Sequence, residues 1–198
     1  FETLEFCARL EINALRIGAP KGLTEKKLAY SAQKARANVN MPEFTPEFHT
    51  AAENAARRDM CSMVKRSYDQ RLFTSTEGTF SVRLDENSFL ITPYHMDRKY
   101  LEVEDIVRID NGCREAGKVP SRSVLLHKAI YDKHPEINSI ILAHPPHIMA
   151  FAVTDVEFDS RTIPESYINL RTVQKIPYGS CFMQPEMVAD FMTEKNPV

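Results

Sequence analysis

Glycine is scarce: only 6 occur in 198 residues and none are clustered, so the chain has no glycine-rich loop of the kind that wraps a nucleotide phosphate. Charge of one sign is lacking too. The 25 basic and 27 acidic side chains leave a formal charge of -2, which offers no footprint for nucleic acid. No apolar run approaches the ~20 residues that span a bilayer, and no basic-then-apolar leader opens the chain. Internal repeats and low-complexity segments are absent. Cys7, Cys61, Cys113 and Cys181 stand far apart, form no CxxC pair and have apolar or helical neighbours. That is the pattern of buried thiols in a reducing, cytoplasmic setting. The spacing of the histidines defends no Ser-His-Asp or Cys-His arrangement.

What is present, 43% hydrophobic and 26% charged residues, is the composition of a soluble globular protein of one domain, or of one domain and part of another. Phe1, Leu4, Ala8, Ile12 and Leu15 recur at helical spacing, and Gly18 with Pro20 supplies a stop. A weakly apolar connector helix fits residues 24–39. Thr45 and Pro46 read as cap and first turn of a long helix whose inner face carries Phe48, Ala52, Ala55, Met63, Val64 and Tyr68. Alternation at residues 80–84, the Asp85-Glu86-Asn87 turn and the run 89–91 predict a hairpin. Helices are expected at 124–133, 147–153 and 185–194, and a strand at 173–176. The β-branched run 137–142 predicts a strand buried at the centre of the sheet. Together these give an α/β domain from residue 45 onward, with a mostly antiparallel sheet flanked by helices.

Four segments, in order and spacing, resemble the class II aldolase and adducin family. Gly78-Thr79-Phe80-Ser81-Val82-Arg83 is similar to its GNxSxR strand entry, and Phe89-Leu90-Ile91-Thr92-Pro93 to its FLITPSG turn. Pro120-Ser121-Arg122-Ser123 is similar to its PSSE turn, followed by a match to LHxAIY at residues 126–131. Ser139-Ile140-Ile141-Leu142-Ala143-His144-Pro145-Pro146 resembles the strand that ends in HxHPP. The resemblance implies the family's layered fold. It also makes residues 1–44 the closing helix of an upstream aldolase-like domain plus a linker, and residues 45–198 a second copy that stops before the family's last metal-ligand histidine.

The same resemblance implies a zinc ion held by imidazoles and acting as Lewis acid on a sugar-phosphate carbonyl. Here the first of two paired histidine positions is Leu142 and only His144 remains, either as a lone ligand or as a hydrogen-bonded pocket histidine. His147 is read as packed or pocket-lining, with a substitute ligand as the alternative. Ser123 stands where the family has its acid/base glutamate, and a hydroxyl takes no proton at neutral pH without a neighbouring base. In the phosphate cradle Thr76 and Ser121 keep hydroxyls, Thr79 replaces an asparagine, and Tyr94 with His95 replaces a Ser-Gly pair. Arg122 is either an anion partner or a solvated turn residue. His127 is expected to pack, His134 to end a helix in solvent and His49 to lie early in a helix.

Three functions follow from this pattern. One is a non-catalytic domain with a structural or anion-binding role, working on a small sugar or sugar phosphate beside an active copy, in tandem or as a homo-oligomer. Another is a metal-dependent aldolase or epimerase with an altered metal shell. The third, an adducin-like cytoskeletal module, lacks a basic tail in this sequence.

Overall fold

The computed structural model describes residues 38–170, 173, 175–177 and 179–192. The two helices expected before residue 38 lie outside them. Six strands form one sheet in the order β1-β5-β4-β3-β2-β6: β1 Glu43–Phe44, β2 Thr79–Arg83, β3 Ser88–Ile91, β4 Val107–Asp110, β5 Cys113–Glu115 and β6 Ser139–Leu142. All neighbours are antiparallel except β1 with β5. Helices α1 (Ala51–Asp69), α2 (Val124–Lys133), α3 (Pro146–Ala152), α4 (Pro164–Leu170), α5 (Ser180–Met183) and α6 (Pro185–Phe191) complete the domain. None is long and apolar enough to cross a membrane.

Alternation along β3 sets the layers, because successive side chains point to opposite faces of a sheet. Phe89 and Ile91 join Val107 and Ile109 under α2 and α6, against Val124, Ile130 and Val188. Leu90 faces the other way, with Phe80, Leu101 and Ile106, against Met60, Val64 and Phe73. β3 is therefore buried on both faces. The β2–β3 hairpin pairs as expected, Ser81 opposite Ile91 and Arg83 opposite Phe89. Helix α2 has the predicted bounds, and Arg83 secures its end by donating to the carbonyls of Tyr131 and His134 at 2.9 Å each. His134 is half-buried, not free in solvent, and its Nε2 lies 2.7 Å from the Ala189 carbonyl.

Four expectations need correction. α1 starts at Ala51, with Thr50 as its cap accepting from the Glu53 amide at 3.1 Å; Thr50-x-x-Glu53 is the stronger start signal, and His49 stays outside the helix. Its buried face is Glu53, Arg57, Met60, Cys61, Val64 and Ser67, while Phe48 and Met63 are exposed. The face begins with two charged residues that neutralise each other, which hydrophobic spacing does not reveal. The run 137–142 yields an edge strand, β6, in which Ile140 is buried but Ile141 is 48% exposed. A β-branched run fits an edge as well as a centre when only one side finds a partner. Val173, Lys175 and Ile176 belong to no strand.

Candidate functional site

Three turns meet at one end of the sheet. The first leads into β2 and delivers Thr79, whose hydroxyl lies 2.6 Å from that of Ser121, both side chains being buried. The second leaves β3 at Thr92: its carbonyl accepts from the Ser121 amide at 3.0 Å, and its hydroxyl accepts from the Phe80 amide at 3.3 Å. The third, Pro120 to Ser123, enters α2. A bridge between Pro93 and Pro120 and a bond from the Tyr94 amide to the Val119 carbonyl, 2.8 Å, lock the second turn to the third.

Ser121 also accepts from the Ser123 amide at 3.3 Å, which curls the chain into α2. Ser123 is buried and occupies the cap position, yet its side chain makes no capping bond. On the rim, Tyr94 and His95 are exposed with ring centroids 5.5 Å apart, and the Arg122 guanidinium lies 5.8 Å from the Tyr94 centroid. His95 adopts φ 56°, the left-handed conformation that favours glycine. Thr76 is half-buried in the first turn, with no hydrogen bond to the Thr79–Ser121 pair. The pairing of β2 with β6 sets Leu142 opposite Thr79, and the His144 amide two residues on bonds the Leu72 carbonyl at 3.1 Å.

Residues 58–194 match the family described as Class II Aldolase and Adducin N-terminal domain. The chain belongs to that family. A 3-oxo-tetronate 4-phosphate decarboxylase of Haemophilus influenzae is 30% identical over 129 residues, covering 62% of this chain and 61% of that protein. An L-fuculose phosphate aldolase of Methanococcus vannielii is 28% identical over 114 residues, covering 58% and 62%. This chain thus spans less than two thirds of either relative's length. Among solved structures, a sugar-phosphate aldolase from Thermotoga maritima superposes with a TM-score of 0.54 at 15% identity, covering 74% of this chain and 84% of the other. An L-fuculose-1-phosphate aldolase from Thermus thermophilus gives 0.53 at 21%, covering 69% and 71%. At such identities the structures speak for the fold alone.

The residues of this class II aldolase-family domain do not fit the zinc ion that the resemblance implies. Leu142 has no donor, Ser123 offers a neutral hydroxyl, and His147 is exposed at the start of α3. No three His, Cys, Asp or Glu side chains among the described residues are arranged to hold a metal. A zinc site closes with about four donors, and at the positions that the resemblance gives to the metal within the described residues His144 is the one imidazole. His144 Nδ1 is nevertheless buried without a hydrogen-bond partner among the described residues.

Sequence reasoning missed two buried polar clusters, one on β2 and α2 and one at the far end of the sheet. Beneath the sheet, the Ser81 hydroxyl lies 2.6 Å from His127 Nδ1 and 2.8 Å from the Tyr131 hydroxyl. His127 does pack, as expected, and burial pushes its pKa down to about 3. At the β5 end, Arg57 donates to Glu53 at 2.7 Å and to Glu115 at 2.8 Å, with all three side chains buried. Burial alone would raise Glu115, but hydrogen bonds from Lys118 and Arg57 hold its carboxyl below the ordinary value. His49 joins this cluster through Glu53, at 2.8 Å. The fit of the serine and histidine to their strand and helix neighbours was readable only as alternation and helical spacing, not as a bond.

Proposed function

We propose that this domain is a catalytically dismantled member of its family that keeps the cleft as a binding site for a small anionic sugar or sugar phosphate. It serves a structural or anion-binding role in the cytoplasm, beside an active copy in the same polypeptide or in a homo-oligomer. The reading rests on one observation: β6 delivers Leu142, not an imidazole, opposite Thr79, while the three cradle turns stay tied together. Ser123 adds to it. Proton abstraction next to a carbonyl needs a base, and the buried Ser123 hydroxyl stands at the family's glutamate position without a carboxylate of its own to act as one. The cradle's remaining chemistry is donation: the one hydroxyl proton that the Thr79–Ser121 pair leaves over and the guanidinium of Arg122 suit an oxyanion.

A second reading, a working metal-dependent aldolase or decarboxylase with an altered shell, is favoured by the unpartnered His144 Nδ1. One experiment separates the two. The 198-residue chain, purified without chelator, is assayed for bound metal and for cleavage of a panel of ketose phosphates with added zinc or cobalt. The expected outcome is substoichiometric metal and no cleavage, with Leu142→His raising zinc affinity at least about tenfold by restoring one ligand. Metal-dependent cleavage that His144→Ala abolishes would instead establish the working enzyme.

A further inference from the structure

The turn after β3 carries a cation without an anion. Arg98 is 2% exposed and stands in a short 3-10 turn, Arg98–Tyr100, capped by Asp97. Among the described residues no carboxylate lies within ion-pair distance of it; Glu77 and Asp97 act on it only through space. Its hydrogen bonds go to backbone instead. Nε and Nη2 donate to the Gly78 carbonyl at 3.0 and 2.8 Å, and Nη1 donates to the carbonyls of Pro93 at 3.0 Å and Met96 at 2.9 Å. The Arg98 amide donates to the Ser75 carbonyl at 2.8 Å. Burial pushes the pKa down to about 10, which leaves the group charged at neutral pH.

Two of these contacts land one peptide ahead of a cleft residue, and one of the two reaches a third turn. Gly78 precedes Thr79, Pro93 precedes Tyr94, and Pro93 is bridged to Pro120, which precedes Ser121. The position leaves no room for a side chain: at φ 89° Gly78 sits so close to Phe73 that a Cβ would lie 2.2 Å from the ring. An isolated buried charge is costly, and carbonyl dipoles offset only part of that cost. A negative charge in front of the turns would offset more.

We infer that Arg98 is a positioning residue of the cleft, fixing the turns that present Thr79, Tyr94 and Ser121 and supplying the buried positive charge that selects an anionic ligand. This rests on the anion-binding reading above and adds the source of its charge. The planar fork is essential to the first role, since one guanidinium reaches three carbonyls that a single ammonium cannot span in the same geometry.

The test uses the 198-residue chain with Arg98→Met and Arg98→Lys, and two measurements: calorimetric titration with inorganic phosphate at low salt, and amide hydrogen exchange at Thr79, Tyr94 and Ser121. Arg98→Met is expected to weaken phosphate binding at least about tenfold and to speed exchange in all three turns. Arg98→Lys should recover phosphate binding while leaving exchange fast, a separation that a purely structural residue does not produce. Should Arg98→Met fail to fold, Arg98→Lys alone decides, and exchange in the turns equal to that of the unsubstituted chain overturns the positioning role. Phosphate binding unchanged in Arg98→Met overturns the charge role. If the unsubstituted chain does not bind phosphate, the anion reading fails with the charge role, and the exchange comparison still decides the positioning role.

Discussion

His127 shows how one side chain couples the interior to solution conditions. In the fold it stays neutral until about pH 3, whereas an unfolded histidine takes up its proton near 6.5. Stability from this group is therefore complete above pH 6.5 and declines as pH falls through the window from 6.5 to about 3, at up to about 1.4 kcal/mol per pH unit. Urea midpoints from about pH 7.5 to about 4.5 should drop for the unsubstituted chain and drop less for His127→Gln. Parallel curves would show that His127 is not the group responsible. The buried neighbours Ser81 and Tyr131 explain why such a residue was legible in the sequence only as a helix position expected to pack: the hydroxyl it bonds belongs to a strand far away in the chain. The motif matches singled out Thr79 and Ser121, whose hydroxyls the fold brings within 2.6 Å of each other, but Arg98 belongs to none of those motifs. His95 keeps a glycine-like backbone where the matched turn has its glycine.

At the level of elements, motif and alternation located the β2–β3 hairpin and α2 correctly, and failed where burial depends on what lies next door. β6 is the clearest case. Its apolar residues stand with one edge and part of one face open, so neighbouring isoleucines have opposite roles. Ile140→Ala should destabilise the domain by about 2–4 kcal/mol by opening a cavity under α2. Ile141→Lys, on the exposed side, should change stability by less than about 0.5 kcal/mol and raise solubility, because a charge blunts an apolar edge strand. Chemical denaturation and light scattering measure both. Equal destabilisation by the two substitutions would mean that Ile141 is covered in solution.

Across the whole molecule, the two ends of the sheet are built from different chemistry. The β6 end carries the bonded hydroxyls of Thr79 and Ser121, while the β1–β5 end is tied by Glu53, Arg57, Glu115 and Arg108, which link α1 to β4 and β5. Removing the central cation leaves two buried carboxylates facing each other, so Arg57→Met should cost about 3–5 kcal/mol, read as a lowered denaturant midpoint. A loss under about 1 kcal/mol would show the network to be solvated. Hydrophobic patterning could not anticipate this end of the domain, since its buried residues are charged and satisfy one another across long stretches of chain.

The strand order also carries a consequence for the sequence of folding events. β2, β3, β4 and β5 are consecutive neighbours joined by comparatively short connections, so they can zip together through local turns. β1 and β6 join from far along the chain and must first meet the entropy of closing large loops. The central meander is expected to assemble early, and the outermost strands to arrive last and open first. Leu142 ends one of those late strands and His144 follows just beyond it, so the two residues on which the functional readings divide are expected to settle last.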